Sequence, residues 1–320
     1  MTHYREYGFA DARELLKKAV HNDFAVPAFN FVCLEQMLAI IDACIETRSS
    51  FILQSSANVR RYIGGAIVMG MSRACVEIIR RSGRSISMSL HLDHGASFDE
   101  CRDCVDDGYS SVMIDGSSLP FEENVMLTKK VAEYAHRRDV AVEGELGAVS
   151  GAEDGVDHAN SYTDPEQVRR FVEETGVDSL AVSVGTSHGL NKRKNVNPGE
   201  SVIAFDRLTE IGNKLPDFPL VLHGASEILP KYVETINRWG GNVGEYGGIP
   251  ADELRRAVKT TVSKINVASD GWVAATAATR EILGSEPGII DPRKFLSGSR
   301  KEMYELYKYK IIEIMNSGNK

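Results

Sequence analysis

Ser89-Leu90-His91-Leu92-Asp93-His94-Gly95 decides the fold. Apolar residues alternate through Ile86, Met88, Leu90 and Leu92, the run stops at an acid, an imidazole and a glycine, and a helical pattern starts at Phe98. This predicts a buried strand that delivers Asp93 and His94 to its carboxyl end, where Gly95 lets the chain turn away. In a barrel or a doubly wound sheet, that end is the rim where ligands bind. The plain alternative is an Asp capping the next helix beside a hydrogen-bonded His. The pattern recurs at His188 in Gly185-Thr186-Ser187-His188-Gly189 and at His223 in Leu220-Val221-Leu222-His223-Gly224. Three strand-ending His-Gly pairs are hard to attribute to packing.

Working outward, strand and helix patterns alternate. Strands are predicted at Val26–Asn30, Phe51–Ser56, Ser85–Asp93, Ser111–Asp115, Val140–Gly147, Ser179–Val184, Leu220–Leu222 and Lys264–Ser269. Helices between them include Leu34–Thr47, a long stretch from Ser56 to Arg81, Phe98–Asp107, Asn124–Arg138, one opened by Asp164-Pro165, Pro230–Trp239 and Trp272–Leu283. An amphipathic helix (Ala10–His21) precedes the first strand, and a last one runs from Arg300 to about Met315 within a helical arm at about 293–317. Eight such strands with no sign of a second core count out one α/β domain over residues 1–320, a (β/α)₈ TIM barrel. A doubly wound sheet is the alternative, but G-x-G-x-x-G is absent after the first strand. The polar loops Ser150–Tyr162 and Leu190–Ser201 are lid candidates.

The 320 residues are 42% hydrophobic and 26% charged, as in a soluble globular protein, and the net charge of −8 argues against nucleic acid or an anionic membrane as partner. No secretory leader or spanning apolar run is visible, and five cysteines make an odd count, so the cytoplasm is the expected compartment. The lone C-x-x-C of Cys101 and Cys104 lies inside a helical pattern and reads as structural.

A closed barrel brings His94, His188 and His223 to one mouth. Three neutral imidazoles with an open position suit Zn²⁺ as a Lewis acid, and Co²⁺ or Fe²⁺ would also fit. Asp93, next in sequence to a ligand candidate, points differently and is a candidate proton donor or acceptor. Asp115, Glu143 and Glu145 could hold a second cation, orient the ligands, or simply bond across the mouth. Small residues in Gly224-Ala225-Ser226 and Asn266-Val267-Ala268-Ser269 let backbone N–H groups approach an anion, and the loops after strands 7 and 8 commonly hold phosphate. Gly189 and Lys192 add a donor and a charge. Gly185-Thr186-Ser187-His188-Gly189 also matches the serine-hydrolase G-x-S-x-G, but a polar loop follows where that motif needs a helix. Lys264 invites a Schiff base, yet it opens its strand, away from the rim, and reads as structural.

The ordered set His91-Leu92-Asp93-His94-Gly95, Ile114-Asp115-Gly116-Ser117, Glu143-Gly144-Glu145-Leu146-Gly147, Gly185-Thr186-Ser187-His188-Gly189, His223-Gly224-Ala225-Ser226 and Lys264-Ile265-Asn266-Val267 resembles the class II, metal-dependent fructose-bisphosphate aldolases, and the match spans essentially the whole chain. The resemblance implies a (β/α)₈ barrel that cleaves a ketose bisphosphate reversibly to dihydroxyacetone phosphate and an aldehyde. It implies catalytic zinc on His94, His188 and His223, and a second cation at Asp115 and Glu145. Asp93 would exchange a proton with the aldehyde-derived hydroxyl, and Glu153 would move the proton on the dihydroxyacetone phosphate carbon. Ser56, Gly189, Lys192, Gly224, Ala225, Ser226, Asn266, Ala268 and Ser269 would bind substrate. A homodimer or homotetramer is implied as well. The chain departs from the pattern at Ala268, which looks more like the tagatose-bisphosphate branch, and at Trp272, where a basic residue is expected. Arg280 or Arg293 is the candidate replacement, from this chain or reaching in from a neighbouring subunit. A metal-dependent hydrolase and a silent phosphosugar-binding paralogue are the competing functions.

Overall fold

The computed structural model describes residues 2–20, 22–149, 151–153, 156–158, 161–193, 196–197 and 199–320, leaving the side chains of 152, 153 and 156–158 outside the description. Its strands are β1 (Val26–Asn30), β2 (Phe51–Ser56), β3 (Met88–Gly95), β4 (Ser111–Ile114), β5 (Ala141–Leu146), β6 (Gly151–Glu153), β7 (Val156–His158), β8 (Ser179–Val182), β9 (Leu220–Leu222) and β10 (Val262–Val267). All but β6 and β7 are parallel and close into one eight-stranded barrel, with β10 pairing back onto β1. Both faces of a barrel strand are covered, which is why these segments read as short apolar runs. The helices lie outside, started where the sequence supplies caps. Ser97 Oγ accepts from Glu100 N at 3.2 Å ahead of Phe98–Asp107, and Asp164 accepts from Glu166 N at 3.0 Å ahead of Pro165–Thr175.

The amino end of the barrel is plugged. Leu15, Leu16 and Ala19 of helix Ala12–Ala19 form one apolar cluster with Phe24, Val26, Ala28 and Ile52. At the carboxyl terminus, Met303, Leu306, Tyr307, Ile311, Ile314 and Met315 are all buried in the main core, so that helix packs on the barrel.

Several elements depart from the sequence reading. The helical stretch after Ser56 is two helices, Ala57–Ile63 and Gly65–Arg81, bent by 96° at Gly64. Gly64 holds φ +94°, a conformation that costs glycine little, and apolar periodicity cannot register a one-residue break. The polar segment 150–162 contains the antiparallel hairpin β6–β7. The last helix begins at Pro292 with Asp291 as its cap, ahead of Arg300, and passes into a π-turn at Lys310–Ile314. β10 begins at Val262, so Lys264 lies inside a strand, fully buried. The cysteines are all free, with Cys101 and Cys104 buried. Among the described residues, no single helix is long and apolar enough to cross a membrane.

Candidate active site

A regular strand sends consecutive side chains to opposite faces. At the end of β3 the pairing with β4 shifts register between Leu92 and Gly95, and His94 takes φ +49°. A left-handed residue other than glycine is uncommon, and histidine is among those that tolerate it. The irregularity lets neighbours in sequence serve one site: Asp93 lines the mouth pocket, while His94 joins the imidazole cluster beside it.

The three imidazoles meet. One ligand atom from each of His94, His188 and His223 lies within 4.8 Å of the others, with ring centroids 5.2 Å (His94–His188), 4.5 Å (His94–His223) and 6.3 Å (His188–His223) apart. His94 Nδ1 stands 2.9 Å from Asp115 Oδ2, and His223 Nε2 stands 2.9 Å from Glu143 Oε1. A ring nitrogen facing a carboxylate carries the proton, so in the neutral tautomers the opposite nitrogens carry lone pairs. Those two, His94 Nε2 and His223 Nδ1, point at each other across 2.6 Å. Facing lone pairs repel unless a cation sits between them, so this donor set fits a divalent metal. A second group, His94, Asp115 and Glu145, has the same spacing. Burial pushes the Asp115 carboxyl up, but hydrogen bonds from His94 and Ser117 outweigh it and hold it below the usual carboxylate range.

Beneath the cluster lies a buried polar floor that sequence reasoning left unassembled. Lys264 Nζ donates to Glu143 Oε2 at 2.8 Å and lies 3.4 Å from His91 Nε2. His91 Nδ1 in turn meets Ser111 Oγ at 2.8 Å. Burial pushes Glu143 up, but the Lys264 ammonium and the bond to His223 hold it well below the ordinary value. Burial, aided by Lys264, pushes the His91 imidazole well below its ordinary value. Lys264 thus supports a cluster member through Glu143, and its ammonium is committed to that carboxylate.

Asp93 is held by two amides. Asn30 Nδ2 donates to Oδ2 at 2.7 Å and Asn266 Nδ2 to Oδ1 at 3.0 Å, while Gln54 Nε2 orients Asn30 through its Oδ1 at 2.6 Å. Asn30 and Gln54 escaped the sequence reading. Their only signal is a polar side chain within an apolar strand, and the register that pairs Asn30 with Gln54 is not written locally.

The pocket beside the imidazoles is lined by Gly189, Lys192, Gly224, Ala225, Ser226, Asn266, Ala268 and Ser269, as the sequence reading expects, together with Asn30 and Trp272. Lys192 is buried, and its Nζ donates to the Ser187 carbonyl. Gly224 holds φ +59° against the Ser187 backbone, leaving no room for a Cβ. Ser56 is not among the lining residues; it sits in register with Asp93 and caps helix Ala57–Ile63, its Oγ accepting from Val59 N at 3.4 Å. Arg280 is not brought to the pocket either. It points outward and donates to the Trp239 carbonyl at 3.3 Å, because helix Ser269–Ser285 carries it several turns away from the rim. Arg293 is 88% exposed and pairs with Asp291. Glu153 ends β6, and its side chain lies outside the described residues; the hairpin's Gly151 packs against the His188 backbone.

Three imidazoles at the carboxyl mouth of a (β/α)₈ barrel, beside a small-residue anion pocket, are the layout of a metal-dependent barrel enzyme. The family profile described as Fructose-bisphosphate aldolase class-II matches residues 10–320, and the chain belongs to that family, whose members are lyases and generally metal-dependent. It is 46% identical to the fructose-bisphosphate aldolase of Treponema pallidum (strain Nichols) over 331 residues, covering 100% of both chains. It is 39% identical to the plasmid fructose-bisphosphate aldolase of Cupriavidus necator, covering 93% of this chain and 91% of that one. Among solved structures, the YdjI aldolase from Escherichia coli K12 superposes with a TM-score of 0.74 at 26% identity, covering 97% of this chain and 98% of the other.

Proposed function

We propose that this chain cleaves fructose 1,6-bisphosphate reversibly to dihydroxyacetone phosphate and glyceraldehyde 3-phosphate. The pair of imidazole lone pairs aimed at one point, His94 Nε2 and His223 Nδ1, carries this reading. The pocket next to it supplies one carboxylate, Asp93, and one buried ammonium, Lys192. His94, His188 and His223 would hold zinc, which when bound supplies a Lewis acid for the ketose carbonyl and its neighbouring hydroxyl. Asp115 and Glu145 would hold a second cation or steer His94.

The chain's own groups do the rest. Lys192 and the backbone of Gly189, Gly224–Ser226 and Ser269 bind the donor phosphate. Asp93 takes the proton from the C4 hydroxyl as the C3–C4 bond breaks and that hydroxyl oxygen becomes the aldehyde. The bonding electrons pass to the C2 carbonyl, leaving the enediolate of dihydroxyacetone phosphate. Glu153 then delivers a proton to C3, and the reverse sequence makes the bond. Asn30 and Asn266 keep Asp93 aimed, and Glu143 with Lys264 keeps His223 aimed. A cytoplasmic, glycolytic homodimer or homotetramer fits this assignment.

A second reading concerns the acceptor half. The lining of the mouth pocket includes one lysine and no arginine among the described residues, with Ala268 and Trp272 at its edge. Ala268 favours the C4 epimer tagatose 1,6-bisphosphate, which cleaves to the same two trioses, and the missing arginine favours an acceptor without a second phosphate. Coupled cleavage assays on both ketose bisphosphates decide between them. Activity on the fructose ester that is lost on chelation and regained with Zn²⁺ is expected; chelator-insensitive cleavage, or no cleavage of either ester, overturns the proposal.

A further inference from the structure

We propose that Lys310, where the carboxyl-terminal helix becomes a π-turn, is a positioning residue for the loop that grips the donor phosphate; this rests on reading residues 224–226 as that loop. Lys310 is 1% exposed at its side chain, on a helix whose neighbouring Leu306, Tyr307, Ile311 and Ile314 are buried in the core. Its Nζ pairs with Glu227 Oε2 at 3.0 Å and Asp270 Oδ2 at 3.2 Å. A buried ion pair is poor evidence for stability, since apolar side chains of the same size often do as well or better. An ammonium on this face therefore asks for another role.

The role is visible one step further in. The Asp270 oxygens accept the backbone N–H groups of Glu227 at 3.2 Å and Ile228 at 2.8 Å. Ile228 sits at φ +50° and is 1% exposed, and a β-branched residue in that region is strained and must be held by its surroundings. The Asp270 carboxylate is that restraint. Lys310 balances its charge and that of Glu227, which also accepts from Tyr309 Oη at 3.1 Å. Gly224, Ala225 and Ser226 stand immediately before this clamp on the loop after β9. Ser269, which lines the same pocket, stands immediately before Asp270 in the first turn of helix Ser269–Ser285, just after β10. Lys310 thus ties the two halves of the anion pocket together from behind. Without it, Glu227 and Asp270 repel, Ile228 relaxes, and the loop loses its aim at the phosphate, while the imidazoles and Asp93, which the clamp does not touch, keep theirs.

The test is titration of metal-loaded wild-type protein and Lys310→Met with dihydroxyacetone phosphate and with unphosphorylated dihydroxyacetone. The ratio of the two affinities isolates the phosphate grip, whereas a purely structural role lowers thermal stability and leaves that ratio alone. Lys310→Met is expected to lower the ratio by about tenfold or more, the worth of one charge-assisted hydrogen bond, with metal content unchanged. A folded Lys310→Met with the wild-type ratio overturns the inference alone. Wild type that does not prefer the phosphorylated ligand overturns the reading of the loop and the inference with it. Should Lys310→Met fail to fold, the charge-balanced Lys310→Met/Asp270→Asn protein carries the test. Its single amide oxygen can accept only one of the two N–H groups well, so the ratio should still fall, and an unchanged ratio overturns the inference.

Discussion

The two ends of the barrel are made from the same eight strands and do opposite work. At the amino end, Leu15, Leu16, Ala19 and Phe24 meet Val26, Ala28 and Ile52 in an apolar plug. At the carboxyl end the strands finish in Asn30, Gln54, Asp93, Glu143, Glu145 and Asn266, each no more than 7% exposed, with His223 immediately beyond β9. Burying polar groups is unfavourable unless each finds a partner, and partners have to be built from several strands at once. The closed end therefore contributes stability, and the open end accepts desolvation and a strained His94 in exchange for chemistry.

That contrast can be broken by substitution. Removing one imidazole with His223→Ala should abolish ketose-bisphosphate cleavage and most bound metal, read by a coupled assay and by metal analysis. Full turnover in that variant would show that the cluster is ornamental. Asp93→Ala should keep the metal and lose about 10²–10⁴-fold in kcat, the usual contribution of a positioned acid–base group; a near-wild-type rate would reassign Asp93 to structure. At the other end, Leu16→Ala should leave kcat and KM alone but cost about 2–5 kcal/mol in denaturant unfolding, as cavity-forming core substitutions do. An altered KM there would mean that the two ends are coupled.

The smallest effect comes from the floor beneath the metal cluster. The His91 imidazole is held well below its ordinary 6.5 by burial and Lys264, so on acidification the unfolded chain binds a proton that the native chain refuses. Stability should therefore fall as pH drops below about 6.5, by about 1.4 kcal/mol per pH unit from this one group, before the low-lying carboxylates begin to titrate. His91→Gln should flatten that slope in urea midpoints measured at successive pH values. An unchanged slope would place the proton uptake elsewhere.

Much of this was legible because strand-ending motifs are local. Asp93-His94-Gly95, Gly185–Gly189 and His223-Gly224 each announce a strand, its carboxyl end and its chemistry within a few residues. Helix Phe98–Asp107 was legible from its own local pattern, and the structure shows Ser97 capping it and Gly108 ending it. The break at Gly64 was hidden, since a single left-handed residue leaves the apolar period intact on both sides. That Arg280 faces away from its own chain's pocket was hidden as well, because position along a helix says nothing of where the helix is heading.

The sequence by itself determined the barrel, the three imidazoles, Asp93 and the anion loops, because short-range patterns and turn residues encode them. Only the tertiary structure decided the company they keep: the amide pair on Asp93, the Lys264–Glu143–His223 relay, and Lys310 behind the pocket. Those contacts join residues separated by 40 to 173 positions, and contacts of that range exist only once the closed sheet has set its register.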